Sequence, residues 1–593
     1  MTPRQQANHD GIVYTPADVT AYIARSTIIP WLLGRLGPPC QDELAKLLAA
    51  EPERYLPPAL LHGGALPTET PREREARRVH SQQLLQRLRQ GGVTPNDLVT
   101  WNLDSERLLC DLMQSSAPIT AAVQEAIARI TILDPTCGDG AFLSAALALV
   151  QRLASGGRQP PEGGLASDCS LSLRGLTPPA RLESRLYGID LRPEAVAACQ
   201  RRLPGASIRI GNAVLSHTWQ RAFPDILRAG GFDIILGNPP YVAADRAGDR
   251  PASGVTTGCP DVYAWVLERT AELLKPGGRC GMVVPLSLGF SSAFASCRQL
   301  LLETYAANWF ASFGRIPSAL FPFDVRVRNV IHLGSKAVDD SPRRTYATRL
   351  HRWFDEARPQ LFDLLTYASF TPDRWPGRLP KLGNERLTAA LEQRLQSTTA
   401  RLDDAFSARP TPYRLYFKKT AYNWLTFCRT LPPCTDDAGN PAAQTQFDVL
   451  YFRSAWQRDA AQVLLNGKWL LTWWLAVGDD FHVARWMLAS FPVDIAALSS
   501  SQRTAFGRIA HRLEAAMARA VSFKRNAGKR VGTYNLARCR EVTDRGDALW
   551  GRILGLESVW EDVELLCAQV VRTDFAEYPA SAPTRAGIAN YGR

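Results

Sequence analysis

The stretch Asp134-Pro135-Thr136-Cys137-Gly138-Asp139-Gly140-Ala141-Phe142 lies between a short apolar run, Thr131 to Leu133, and a helical apolar repeat from Phe142 to Leu153. Strand, glycine turn and helix in that order is where an open parallel sheet binds a nucleotide-like ligand. Gly138 and Gly140 allow such a ligand to approach the backbone closely. Asp134, Pro135, Cys137, Gly138, Gly140 and Phe142 are therefore the first candidate binding residues.

Downstream the alternation continues: Leu186 to Ile189 as strand, Pro193 to Arg202 as helix, Ile208 to Ile210 and Phe232 to Leu236 as strands, Val262 to Leu274 as helix. A Pro276-Gly277-Gly278 turn, a strand from Cys280 to Val284 and a last one near Val327 to Leu333 follow. This pattern predicts a doubly wound parallel sheet with crossover helices. The Gly-, Pro- and Ser-rich segment from Ala154 to Thr177 reads as an exposed loop interrupting it. Asp190 ends the second strand, where a carboxylate would meet ribose hydroxyls; the competing reading is a cap for the helix starting at Pro193. Asn212 ends the third, where an amide can contact an adenine edge.

The fourth strand runs into Asn238-Pro239-Pro240-Tyr241. Two prolines after an asparagine cannot continue a strand, so they hold the loop rigid. The Asn238 side-chain oxygen and the Pro239 carbonyl can each accept one N–H of an exocyclic amine, while Tyr241 offers a stacking face.

The rest of the chain bounds the function. At 593 residues it exceeds a single core, and 46% hydrophobic with 21% charged residues excludes a fibrous or disordered protein. No run approaches the ~18 apolar residues of a membrane span; Trp469 to Val477 reads as buried core. The polar Met1 to Asp10 lacks a secretory signal, which predicts a cytoplasmic protein. Twelve scattered cysteines form no C-x-x-C pair, so neither disulfide scaffold nor metal site is expected. The net charge of +12 is concentrated C-terminally: residues 336–593 hold 36 Lys and Arg against 27 Asp and Glu, a balance of +9. Within them Ser501 to Arg545 reaches +8, including Lys524, Arg525, Lys529 and Arg530, a pattern suited to a phosphate backbone.

Taken together, the Asp134 to Phe142 string, Asp190 and Asn238-Pro239-Pro240-Tyr241, in that order, resemble the N6-adenine DNA methyltransferases of the gamma arrangement. Gly11-Ile12-Val13-Tyr14-Thr15-Pro16 resembles that family's additional cofactor motif. The resemblance covers about residues 11–35 and 130–335, and residues 336–593 are more loosely similar to the target-recognition regions of type IIG restriction enzymes and BREX or DISARM phage-exclusion methylases. It implies a Rossmann-like S-adenosylmethionine-dependent methyltransferase domain at 131–335, after a helical region at 1–130 and before a mixed α/β target-recognition domain at 336–593. It also implies S-adenosyl-L-methionine as cofactor, Tyr14, Thr15 and Pro16 among its contacts, and Phe321 or Phe323 as a second stacking face for the target base. Val266 stands where the family usually has an aromatic, and the adjacent Trp265 is the expected substitute.

The expected activity is site-specific methylation of double-stranded DNA by base flipping and direct transfer, in a restriction-modification or phage-defence system with possible separate subunits. An RNA or protein N-methyltransferase of the same fold, or a non-catalytic DNA-recognition subunit, remains open as the alternative. Modification without cleavage is expected. None of the nine lysines follows a glutamate by two positions, no phosphate-loop motif occurs, and Gly11 leaves no room for a preceding nuclease.

Overall fold

The computed structural model describes residues 15–155, 182–321, 327–338, 342–375 and 377–571, without the side chains of Pro38 and Pro39. The expected loop from Ala154 to Thr177 lies, beyond residue 155, outside the described residues. The chain divides into two compact units: Met1–Pro67, Glu75–Thr348 and Phe354–Ser369 in one, Thr68–Arg74, Arg349–Trp353 and Phe370–Arg593 in the other.

The first unit is built on a sheet of strands β1 (Ile132–Asp134), β2 (Leu186–Asp190), β3 (Ser207–Ile210), β4 (Phe232–Gly237), β5 (Leu274–Pro285), β6 (Tyr305–Phe313), β7 (Asn329–Lys336), β8 (Arg344–His351) and β9 (Tyr367–Ser369). Their spatial order is β3-β2-β1-β4-β5-β7-β6-β8-β9. The first five are parallel, and β7 pairs antiparallel with both β5 and β6. All six residues of β4 are buried, as a strand covered on both faces requires. From β1 the chain winds outward through β2 to β3, then returns to the other flank of β1 as β4 and β5. The fold is the doubly wound α/β arrangement that the alternation predicts, with its switch point between β1 and β4.

The Pro276-Gly277-Gly278 turn is absorbed into β5. Phe232 pairs with Leu274 but Ile234 with Arg279, so the residues between loop out opposite Asp233. Proline cannot donate to the ladder, and Gly277 takes φ +71°, so a bulge accommodates both. The sequence pattern shows neither β8 nor β9, nor, inside the alternating region, β6. Eight of its nine residues are buried and it follows helix Ala295–Thr304 directly, so it has neither an alternating pattern nor a boundary.

Helix Ala17–Arg35 packs on helix Ala141–Ala154 and on β5. It comes so close that a Cβ on Gly281 would stand 2.4 Å from Ile23 Cγ2. Pro16, in an extended conformation, precedes its first turn, so the seat of this helix also fixes the position of Thr15.

In the second unit, helices Ala455–Leu465, Lys468–Val477, Ser500–Arg519, Arg540–Leu554 and Trp560–Val570 pack into one cluster. Lys468–Val477 is buried at every position, the core helix that Trp469 to Val477 predicts. Its lysine is buried because Nζ meets Asp544 at 3.2 Å and Glu564 at 3.0 Å. Strands β10 (Arg414–Lys418), β11 (Phe427–Cys428) and β13 (Phe447–Tyr451) form one small sheet. β12 (Cys434–Asp436), β14 (Val521–Asn526) and β15 (Lys529–Tyr534) form another. The Asn466 amide clamps β11 through the Phe427 carbonyl at 2.9 Å and N–H at 3.0 Å. Among the described residues no helix is long and apolar enough to cross a membrane.

Alanine ordinarily gains over glycine inside a strand. At Gly281 the added methyl collides with a buried, stiff isoleucine, so Gly281→Ala is expected to destabilise the chain by about 1–3 kcal/mol. The check is the urea midpoint; a midpoint equal to or above that of the unchanged chain would show that the helix yields without cost.

Candidate active site

At the end of β1 the Asp134 carboxylate accepts the Thr136 N–H at 3.0 Å, which turns the chain at Pro135. Burial, added to by the neighbouring Asp190 and Asp139 carboxylates, holds its pKa up at about 8. The loop is then tied to β2: Cys137 N–H donates to the Ile189 carbonyl at 2.9 Å, and Gly138 N–H to Asp190 Oδ2 at 3.0 Å. Gly138 has φ +53° and a Cβ placed there would meet no protein atom within 4 Å. Gly140, at φ +88°, opens helix Ala141–Ala154 and leaves room for the Cys199 thiol.

Asp190 is 8% exposed, and its second oxygen accepts the Arg192 N–H at 3.0 Å. The helix Pro193–Arg202 receives no side-chain cap, so Asp190 does not act as one. Asn212 makes a short turn through Val214 N–H at 3.1 Å and donates to Asp249 at 3.3 Å. These elements enclose a cavity of about 340 Å³, walled by Gly138, Asp190, Asn212, Asn238, Tyr241 and Val266 among others.

Across the switch point, Thr136 Oγ1 donates to the Asn238 carbonyl at 3.4 Å. The Asn238 side chain donates from Nδ2 to Thr15 Oγ1 at 3.2 Å. Its Oδ1 is buried and accepts no hydrogen bond from the described residues. Tyr241 is held at its far end: its hydroxyl donates to the Val283 carbonyl at 3.1 Å and accepts from Asn329 Nδ2 at 3.1 Å. Burial pushes the phenol well above its ordinary pKa, so it stays neutral.

Of the residues singled out in the sequence, Pro135, Gly138, Asp190, Asn212, Asn238, Pro239, Pro240 and Tyr241 line this one cavity. Thr15 reaches it through Asn238, and Pro16 leads from Thr15 into its helix. Asp134, Cys137, Gly140 and Phe142 lie beneath the loop and shape it. The adjoining Cys199 thiol and burial raise the Cys137 pKa above the ordinary thiol value, which favours the neutral thiol. Phe321 is 1% exposed and is not part of the cavity wall. Tyr14 and Phe323 lie outside the described residues. The expectation for Trp265 is corrected: its indole donates to the Thr256 carbonyl at 3.0 Å inside the core, and Val262 with Val266 forms the wall instead. Leu191, Arg246 and Asp249 in the wall and Asn329 behind Tyr241 were not singled out. A leucine directly after the strand-ending Asp190 is legible in the sequence, and the structure leaves it exposed; a lone asparagine opening a strand carries no such signal.

In the second unit, Lys524, Arg525, Lys529 and Arg530 share one hairpin, β14–β15, turned by Ala527 at φ +48° and Gly528 at φ +70°. Two left-handed residues make the turn that matches the twist of paired strands. Arg525 and Arg530 stand opposite one another. Arg525 meets Asp437 at 3.0 Å and Arg530 lies 4.2 Å over the Phe523 ring, which relieves their repulsion. Phe523 is 43% exposed.

Residues 184–317 match the family model of the Eco57I restriction-modification methylase. The type II methyltransferase M.BanIII of Aneurinibacillus aneurinilyticus is 25% identical over 281 residues, 45% of this chain and 42% of that protein. The chain thus matches less than half the length of that relative. Among solved structures, the type IIL restriction-modification enzyme MmeI in complex with DNA has 12% identity and a TM-score of 0.45, covering 79% of this chain and 76% of that one. A modification subunit of a type I restriction enzyme from Vibrio vulnificus YJ016 has 15% identity and a TM-score of 0.27, covering 46% and 56%. Over the residues that carry Asp190, Asn212 and the Asn238 to Tyr241 loop, the chain is similar in sequence to the methylases of restriction-modification systems.

Proposed function

We propose that this protein is a DNA methyltransferase that transfers a methyl group from S-adenosyl-L-methionine to N6 of an adenine flipped out of the duplex. The observation that carries the reading is the amide of the cavity-lining Asn238: Nδ2 is occupied by Thr15, and Oδ1 is buried without a donor among the described residues. A buried acceptor left unpaired costs about 1–3 kcal/mol, a cost relieved when a substrate N–H arrives.

The cavity suits the cofactor. Gly138 leaves open space where any side chain would intrude, and the Asp190 carboxylate stands in the wall with lone pairs beyond those taken by Gly138 and Arg192. Gly138, Asp190 and Asn212 would hold it, with Tyr14, Thr15, Pro16, Pro135 and the buried Asp134, Cys137, Gly140 and Phe142 shaping that site. S-adenosyl-L-methionine supplies a methyl group already activated on sulfonium. The protein therefore has to orient the amine. Asn238 Oδ1 and the Pro239 carbonyl accept its two hydrogens and direct the nitrogen lone pair, and Pro240 keeps their spacing rigid. The Tyr241 ring stacks on the flipped base, its hydroxyl anchored by Val283 and Asn329. The second stacking face falls to Phe321 or Phe323, and Phe321 has to turn out of the core to serve.

The second unit is the DNA-recognition part on this reading, with the β14–β15 hairpin contacting phosphates. A restriction-modification or phage-defence system, with further subunits for any cleavage, is the setting we infer, in the cytoplasm.

Tritiated methyl transfer to duplex DNA, compared with tRNA and protein extract, tests the assignment. Asn238→Ala is expected to lower transfer by about 100-fold or more while leaving cofactor affinity within a few fold. Retention of a tenth of the activity would sink the assignment. Asp190→Ala is expected to weaken S-adenosyl-L-methionine binding by at least about tenfold, read by calorimetry. Unchanged affinity would leave Asp190 only its tie to Gly138 and Arg192. Replacing Lys524, Arg525, Lys529 and Arg530 together by Gln is expected to flatten the salt dependence of DNA binding by up to about four phosphate contacts. Arg525 should contribute least because Asp437 already holds it. An unaltered slope would place the hairpin off the DNA.

A further inference from the structure

A second groove opens in the first unit where helix Ala17–Arg35 ends and β5 begins. It has a volume of about 460 Å³ and is walled by Trp31, Arg35, Asn96, Gly277, Arg279 and Ser335 among others. We infer that this groove binds a phosphate-type oxyanion, with Arg279 as its principal ligand and Arg35 as the second.

Arg279 is 6% exposed, yet among the described residues no carboxylate pairs with it. Its one hydrogen-bond acceptor there is Asn96 Oδ1, reached from Nη2, and its guanidinium lies 5.9 Å from the Trp309 ring. Burial alone lowers its pKa, to about 10, so it remains charged at neutral pH. Other buried arginines are held by several acceptors, Arg352 in the second unit by Asp480 and backbone carbonyls and Arg77 by the carbonyls of Ala59, His62 and Gly64. Arg279 is instead a charged wall of an open groove, with Nη1 and Nε left to donate.

The surroundings add positive charge and do not cancel it. Arg35 stacks 4.9 Å over Trp31. The nearby carboxylate of Asp233 is shared by Lys275 at 3.2 Å and Arg35 at 3.8 Å, so two cations face one anion there and Arg279 stands apart from it. Ser335 and Thr94 also line the groove, the Thr94 hydroxyl being held by the Asp97 carboxylate at 2.6 Å. Planar guanidinium groups from two elements match the oxygens of a tetrahedral dianion, which a single carboxylate would satisfy only on one side. The groove shares no wall residue with the cavity at Asn238. The proposal stands whether or not the methylase reading does.

The test uses the full chain and inorganic phosphate. The melting temperature is followed against sodium phosphate at constant pH, with sodium chloride holding ionic strength constant. A rise that follows mass action is expected, with the apparent affinity lowered at least about tenfold in Arg279→Gln and less in Arg35→Gln. Arg35 is half exposed, so that variant reports even if Arg279→Gln lacks a cooperative transition. In that event Arg279→Lys, which keeps the charge but loses the planar fork, is also expected to bind more weakly. No phosphate dependence in the unchanged chain, or the same dependence in the arginine variants, would overturn the site. Repeating the series with a nucleoside monophosphate and with non-cognate duplex DNA identifies the source: the ligand whose effect Arg279→Gln removes is a free nucleotide or a backbone phosphate.

Discussion

The bare backbone at Gly281 lets helix Ala17–Arg35 lie against β5 more closely than any side chain would allow. The geometry of the candidate active site depends on that seat. Thr15 and Pro16 run directly into this helix, and Thr15 Oγ1 takes the Asn238 amide hydrogen at 3.2 Å. An asparagine amide turns easily about its last torsion. With its nitrogen tied to Thr15, the oxygen is fixed by subtraction, buried and without a donor among the described residues. A segment more than two hundred residues upstream thereby orients the acceptor, and the tie depends on packing that neither the loop nor the segment provides alone.

The same economy governs Tyr241. The stacking role proposed for Tyr241 is useful only if the ring does not have to be ordered at the moment of binding. The two prolines fix the backbone before it, and the Val283 carbonyl with the Asn329 amide fixes the hydroxyl beyond it. Those two anchors lie on β5 and β7, which pair side by side, so the ring is referenced to the sheet core. The antiparallel β6–β7 addition thus has a positional consequence at the site, since it carries Asn329 to the back of the tyrosine.

Much of this was legible in the sequence because the parallel half of the sheet follows a strong rule. Short apolar runs ending in Asp134, Asp190, Asn212 and Asn238 read as strands with polar ends, and the doubly wound topology brings those ends to one edge. The sequence reading went wrong where tertiary contacts override local signals. β6 is buried along almost its whole length and shows no period. Trp265 has the aromatic character expected of a cavity wall, but its indole is held inside the core and the neighbouring Val266 lines the cavity. Asn329 is a single polar residue whose meaning lies in a partner 88 positions away. The basic hairpin was visible as charge, but its Asp437 partner and the Phe523 ring beneath Arg530 belong to register, which composition does not encode.

Arg279 shows the limits of reading charge by count. It is one of sixty arginines, and nothing around it in the sequence marks it out. Its setting arises because the Pro276-Gly277-Gly278 bulge delays the pairing of β5 until Arg279 meets Ile234, which sets its side chain among Asn96, Trp309 and the groove. An uncompensated buried charge costs about 3–5 kcal/mol. A simple core would be served as well by methionine or leucine at that position. The cation–π contact with Trp309, at 5.9 Å near the outer limit of such contacts, and one amide oxygen return part of the cost. The remainder is what an arriving oxyanion would relieve. The Asn238 oxygen and the Arg279 guanidinium therefore follow one rule from opposite signs: each is a buried polar group short of partners, and the ligands proposed above, an N–H for the first and an anionic oxygen for the second, would supply them.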